Sequence, residues 1–372
     1  MRPLLFPLCA AIIPSLTFTV SVTACGRHPR AQAVARVPGP RRAVVVPLVS
    51  DEAEAALALL TKRRAGVPLT AGDWARFFDS QGYRRLKARE LGMGRAFTDT
   101  AFRAFLLSDS LLRRSARLDT AVAAYERMNI AEAAVRALRY LPAGAGMHAT
   151  LYLEVKPVTN SFVFDFPDGR GIFIYVDPAR PVAVVEHDIV SHELHHIGYD
   201  EACLAGQGAG SLPAQADSSP AARARLWLGA FGEGLAMLAA AGGPDVDPHA
   251  LSASRERARW QHDLANWKAD FVRVEAFLTD VATGRVANQD SILAVARTFY
   301  GDAQGAWYTV GYEMAVTVEH AFGRERLVNS ICDPRQFLTT YNEAAGAYNR
   351  AHGAEDQMPV WSEGLLEGLG RY

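Results

Sequence analysis

Four of the ten histidines fall between residues 187 and 196, in the run Glu186-His187-Asp188-Ile189-Val190-Ser191-His192-Glu193-Leu194-His195-His196. Within it, His192-Glu193-Leu194-His195-His196 has the spacing H-E-x-x-H. On a helix, His192 and His196 lie one turn apart and about 40° apart around the axis. Both imidazoles then leave one face and can grip a single Zn2+. Glu193 is turned about 100° from His192, placed to reach a water on that ion without being a ligand. The chemistry of such a set is hydrolysis. Zinc lowers the pKa of its water toward roughly 7; Glu193 takes the proton, water attacks a carbonyl, and Glu193 returns the proton to the leaving amine.

A third ligand is needed. The metzincin pattern asks for Gly three residues and His six residues after the second His, where this chain has Tyr199 and Ala202, so that class is excluded. The remaining common choice is a Glu on a following helix. Glu233 is the only carboxylate between Ser218 and Pro244, within Trp227-Leu-Gly-Ala-Phe-Gly-Glu233-Gly-Leu-Ala-Met-Leu. An isolated carboxylate in an apolar helix is costly to bury unless it is paired, protonated or metal-bound. The other reading is a surface Glu, or one paired to a distant Arg. Gly232 and Gly234 would let this helix approach the His192 helix closely.

These residues need elements to position them. Apolar residues at three-four spacing predict helices over Glu52–Arg64, Trp74–Glu90, Phe97–Leu118 and Thr120–Tyr140. Alternation predicts strands at Leu151–Val155, Phe162–Phe166 and Ile172–Val176, the last two a hairpin around Pro167-Asp168-Gly169. Asp177-Pro178 reads as a cap followed by a helix start. Helical patterns return at Ala221–Ala241, Ser252–Thr283, Asp290–Tyr300, Ala306–Phe322 and Arg335–Arg350. The fold class is α+β: predominantly helical, with a small antiparallel sheet before the H-E-x-x-H helix. The expected organisation is a signal over 1–25, a tether over 26–48, a helical subdomain over 49–148 and a catalytic subdomain over 149–372.

His192-Glu193-x-x-His196 followed by Gly232-Glu233-Gly234-Leu235-Ala236 resembles the gluzincin class of zinc metallopeptidases. That resemblance implies a zincin-like core with His192, His196 and Glu233 on zinc. More closely, the chain resembles a bacterial family of zinc-dependent peptidases known mainly as a domain of unknown function. The resemblance runs from about residue 50 to 350 and includes Asp73-Trp74 with Gly82-Tyr83, Tyr140-Leu141-Pro142 and Tyr308-Thr-Val-Gly-Tyr-Glu-Met-Ala315. One departure stands out: where thermolysin-like gluzincins carry an Asp to orient the first His, four residues after the Glu, this chain has Met237. Asp188 and Asp200, each four residues from a zinc histidine, are alternatives for that role, or solvated carboxylates. His187 and His195 read as packing or supporting residues. Tyr308 and Tyr312, one turn apart beside Gly311, are candidate donors to the developing oxyanion, or core aromatics. The gluzincin resemblance implies that an edge strand at the hairpin, through Asn160 or the backbone of Gly171–Tyr175, binds an extended peptide; otherwise the hairpin is structural. The Cys203–Pro220 loop is a lid or a plain loop.

The 372 residues are 49% hydrophobic and 21% charged, enough apolar side chain for a substantial core. With 39 basic against 40 acidic side chains the chain lacks the basic excess of a nucleic-acid binder. Pro3 to Gly26 carries no charge behind Arg2, and Val22-Thr23-Ala24-Cys25 resembles a lipobox, with Val22 in place of Leu and Pro3, Pro7 and Pro14 interrupting the apolar run. A lipid anchor at Cys25, a cleaved signal and an uncleaved anchor all place the body of the protein outside the cytoplasm, in a bacterial cell envelope. There Cys203 and Cys332 can pair, or stay as two buried thiols. The leading expectation is a membrane-tethered zinc peptidase acting on a peptide or protein. The alternatives are a zinc hydrolase of a non-peptide amide, and a non-catalytic partner-binding lipoprotein with a structural metal.

Overall fold

The computed structural model describes residues 43–204, 219–301 and 304–370. The signal, Cys25, the tether as far as residue 42 and most of the Cys203–Pro220 loop lie outside the described residues. In chain order the elements are β1 (Val44–Val45), β2 (Leu48–Val49), α1 (Asp51–Arg64), α2 (Ala71–Phe78), α3 (Gln81–Gly92), α4 (Asp99–Leu106), α5 (Asp109–Tyr125), α6 (Ile130–Leu138), β3 (Met147–His148), β4 (Thr150–Glu154), β5 (Phe162–Phe166) and β6 (Gly169–Tyr175). There follow α7 (Val182–Val184), α8 (Ser191–Tyr199), α9 (Pro220–Leu228), α10 (Gly232–Ala241), α11 (Ser254–Ala265), α12 (Trp267–Ala282), α13 (Gln289–Thr298), α14 (Ala306–Phe322), α15 (Arg324–Ser330), α16 (Pro334–Ala351) and α17 (Glu363–Gly368). The architecture is α+β, helix-dominated, with the sheet preceding α8. Among the described residues no helix is long and apolar enough to cross a membrane.

The chain forms two compact units. One comprises the described chain up to Ala131 together with Met147–Val185; the other comprises Glu132–Gly146 and the chain from Glu186 onward. In the first, α1 buries Ala53, Ala56, Leu59 and Leu60 against α2, α3, α4 and α5. Two long helical patterns are each broken by a serine. The Ser80 Oγ accepts the Tyr83 N–H at 3.4 Å and starts α3; the Ser108 Oγ accepts the Leu111 N–H at 3.3 Å and starts α5. Each satisfies an N–H that a helix start leaves open.

The larger sheet has the order β2-β4-β6-β5. Its antiparallel pairing is confined to the expected hairpin, with Phe162 opposite Phe173. The β4 strand joins β6 in parallel, Leu151 beside Ile172, and β2 joins β4 in parallel, Leu48 beside Leu151. The fold therefore starts before residue 49: Val44 and Val45, read from composition as tether, pair with Met147 and His148. Because β6 lies between β4 and β5, the backbone of Gly171–Tyr175 is committed to its neighbours and β5 is the edge. Asn160 is engaged as well, its Oδ1 accepting from Lys156 Nζ at 2.9 Å. The helix expected at Asp177-Pro178 begins later. The Asp177 carboxylate caps a turn by accepting the Ala179 N–H at 2.9 Å, and the helical run starts at Val182, after Pro181.

Glu52 on α1 and Glu154 on β4 are fully buried, and among the described residues Glu52 Oε1 and both Glu154 oxygens have no hydrogen-bond donor. Gly82 makes room for them; a Cβ there would sit 2.8 Å from Glu52 Cβ and 3.0 Å from Glu154 Oε1. Burial raises both carboxyls; the Val155 N–H and Lys156 oppose the rise at Glu52 while Asp51 adds to it, and at Glu154 the charges of Glu52 and Asp51 add to it against Lys156. The folded protein therefore holds protons that the unfolded chain releases near pH 4.3. Their stabilisation is present in full below that pH and is lost as pH climbs through the raised folded values. The unfolding midpoint should fall from pH 5 to pH 9, and Glu154→Gln, whose amide donates permanently, should flatten that slope. An unchanged slope in the variant would remove the pair as its source.

In the second unit α14 is central, packed by α10, α11, α12, α15 and α16. Trp307, Phe231 and Trp361 are essentially buried at its core. Cys203 and Cys332 are paired in a disulfide, with Cα atoms 4.9 Å apart, which decides between the two states their sequence allows. Beside it, the Tyr199 hydroxyl at the end of α8 donates to the Ile331 carbonyl at 3.1 Å.

Candidate metal centre

The segment from Val182 to Leu204 is one helical run in which π-helical turns, Val185–Val190 and Asp200–Leu204, flank α8. Val185, Val190, Leu194 and Ile197 are fully buried and fix its orientation. The opposite face then presents His192 and His196, one turn apart, their rings 4.7 Å between centroids and nearly perpendicular. Glu233 stands in the first turn of α10, where the helix dipole favours a carboxylate. The rest of α10 is apolar and buried, so the backbone that carries Glu233 is held by the core.

Donor atoms of His192, His196 and Glu233 lie within 4.8 Å of one another, the one such group of three among the described residues. The two Nε2 atoms are 3.0 Å apart, and Glu233 Oε2 lies 3.1 Å from His192 Nε2 and 3.3 Å from His196 Nε2. Ligands at about 2.0–2.1 Å from a tetrahedral zinc are separated by roughly 3.3 Å, so the donor set fits that ion in type and spacing. Two imidazole nitrogens facing each other at 3.0 Å also require a proton or a cation between them. Burial works against charging His196, yet the Glu233 carboxylate outweighs it and pushes the imidazole up to about 9. Burial likewise works against the Glu233 charge, and His196 and His192 overcome it, holding the carboxyl well below the usual range. The pocket is built for a carboxylate that meets positive charge.

Glu193 is beside the three donors and outside the group they form. Burial pushes its carboxyl up, while His192 and His196 pull it back. The structure separates the two tyrosines. The Tyr308 ring stacks on His192 at 6.2 Å, and its hydroxyl engages the Glu233 carboxylate. Burial and that carboxylate hold the phenol well above its usual value, so it remains a donor. Tyr312 turns away: its hydroxyl donates to the Val246 carbonyl at 3.3 Å and its ring packs edge-on against Trp260.

The close helix approach allowed by glycine is made with a different partner from the one the sequence suggests. A Cβ on Gly234 would lie 2.1 Å from the Tyr312 nitrogen and 2.3 Å from the Gly311 carbonyl carbon, whereas one on Gly232 would meet nothing within 4 Å. Gly234 thus seats α10 on α14 rather than on α8, and this contact places Tyr308 beside Glu233. His195 is fully buried and 3.3 Å from the Tyr140 carbonyl, with burial holding it down at about 3; it is a neutral packing residue. His187 faces Glu132 and Glu186 at 3.9 and 3.8 Å. Asp188 accepts from Ser252 Oγ at 3.1 Å, and Asp200 acts on His196 through its charge. Ser252 in turn belongs to a bridge with His249 and Gln304, which sequence patterning does not reveal: Asp247-Pro248-His249 lies in a turn with no periodic signal.

Residues 74–349 match the model of the family described as "Putative zinc dependent peptidase (DUF5700)". No curated protein and no solved structure matches the chain.

Proposed function

The chain belongs to the DUF5700 family, and on that premise we propose that it is a zinc-dependent metallopeptidase of the gluzincin type. The observation that carries this reading is the convergence of His192, His196 and Glu233, with a half-buried carboxyl, Glu193, next to them and outside the ligand set. A zinc ion held by those three residues would supply Lewis acidity and make water acidic enough to lose a proton near neutral pH. Glu193 accepts that proton and delivers it to the leaving nitrogen; desolvation raises its affinity for a proton, against the pull of His192 and His196. Tyr308, kept protonated by burial, turns its one O–H from the Glu233 carboxylate to the carbonyl oxygen as charge develops there. The Gly234–Gly311 contact keeps Tyr308 and Glu233 in register. A purely structural zinc usually has four protein ligands and would leave Glu193 without a task.

Zinc-loaded protein should cleave members of a peptide library, a chelator should stop cleavage, and added zinc should restore it. Cleavage confined to a non-peptide amide would change the substrate class, and cleavage that survives complete metal removal would contradict the reading.

The same proposal places the mature chain outside the cytoplasm, held to a membrane by lipid on Cys25. Its supports are the lipobox-like Val22-Thr23-Ala24-Cys25 and the Cys203–Cys332 disulfide, a bond that persists in oxidising compartments. Cys25→Ser should move the protein from the membrane to the soluble fraction; unchanged fractionation would reject the anchor.

A further inference from the structure

Zinc-binding histidines are ordinarily oriented by hydrogen bonds from their surroundings, and the sequence position that would offer a carboxylate one turn beyond Glu233 holds Met237. The structure shows what stands there. Gln304 Nε2 donates to Met237 Sδ at 3.4 Å, and Gln304 Oε1 accepts from His249 Nε2 at 2.7 Å. On its other side, His249 Nδ1 lies 3.0 Å from Ser252 Oγ, which donates to Asp188 Oδ2 at 3.1 Å.

The two ends of this bridge are placed symmetrically about the site. Asp188 precedes His192 by one helical turn, and Met237 follows Glu233 by one turn. The bridge therefore spans from the turn before one donor residue to the turn after another. The imidazole at its centre is positioned by the packed ring of Trp260, 5.7 Å away, which also seats Tyr312 of α14. Gln304 stands one turn before Tyr308, so the segment leading into α14 is held by the same imidazole.

We propose that the Asp188–Ser252–His249–Gln304–Met237 bridge fixes the spacing of the metal centre, with His249 as its positioning residue. Through Ser252 it holds the helical turn that precedes His192; through Gln304 it holds the turn that follows Glu233. None of its five members belongs to the donor group of His192, His196 and Glu233, so its effect is on how well those three converge. The inference rests on the metal-centre reading above.

The test measures zinc affinity by chelator competition and records the visible d–d bands of the cobalt-substituted protein, wild type beside His249→Ala. The unfolding midpoint of each metal-free protein is measured alongside. The variant should bind zinc about 10- to 100-fold more weakly and shift the cobalt bands, with the metal-free midpoint little changed. Ser252→Ala removes only the hydroxyl and should weaken zinc in the same direction by a smaller factor; it serves as the readout if His249→Ala does not fold. His249→Gln, which retains a donor and an acceptor, should recover part of the loss. Wild-type affinity and wild-type cobalt bands in the variants would overturn the proposal while leaving the metal centre intact. A fall in metal-free stability with unchanged bands would make the bridge packing alone and overturn it too. A wild-type protein that takes up no metal would overturn the metal-centre reading and this inference together.

Discussion

Glu193→Gln should reduce peptide hydrolysis by about 10²- to 10⁴-fold, the usual contribution of a positioned acid–base group, and leave the bound zinc at its wild-type level. The substitution preserves shape and removes only the ability to take up a proton. Glu193 is outside the group formed by His192, His196 and Glu233, so metal affinity has no reason to fall. The variant also separates the functional readings. Turnover that persists in Glu193→Gln would remove it as the base, and zinc that leaves with the side chain would make Glu193 part of the ligand set.

Gly234→Ala carries the largest expected structural effect. One added methyl would lie 2.1 Å from a backbone nitrogen and 2.3 Å from a carbonyl carbon of α14, atoms that move only with the helix. Overpacking of this kind costs typically 1–3 kcal/mol and sometimes more; with backbone on the receiving side, about 3 kcal/mol is the appropriate scale. The displacement also falls at the junction that sets Tyr308 beside Glu233, so zinc affinity should drop with stability. Gly232→Ala is the internal control, since its methyl meets nothing within 4 Å and should stay within about 0.5 kcal/mol of wild type. Thermal unfolding and zinc titration of the two variants together check this. Equal behaviour would mean that α10 and α14 do not depend on the close contact.

These two glycines show where sequence reading succeeds and where it stops. The histidine spacing is legible because a four-residue interval on a helix fixes two side chains to one face without any tertiary information. Glu233 is legible because one carboxylate in an apolar helix needs a partner, and the structure places His192 and His196 against it. What Gly234 packs against is a tertiary fact. Its neighbour Gly311 is 77 positions away, and nothing in the local pattern distinguishes α14 from α8 as the partner. The tyrosines pose the same problem. Tyr308 and Tyr312 share a helical interval, yet the rotation of α14 sends one to Glu233 and the other to Val246.

The sheet divides likewise. A two-stranded hairpin announces itself by alternation and a Pro-Asp-Gly turn, whereas the parallel pairing of β2 with β4 joins strands about a hundred residues apart and involves a segment too short to alternate. Helix ends were blurred for a simpler reason: Ser80 and Ser108 sit inside continuous apolar periodicities, and only their captured N–H groups show that each is a start. The His249 bridge is the least legible part, being assembled from single polar residues on separate segments.

The most direct test of the metal centre is the zinc content of the purified protein by elemental mass spectrometry, wild type beside Glu233→Ala. The geometry predicts one zinc per chain in the wild type and little or none in the variant, since the carboxylate 3.1 and 3.3 Å from the two imidazole nitrogens is the only acid in the donor set. A folded wild-type protein that takes up no zinc even when metal is supplied, or a variant that keeps its full complement, would contradict it.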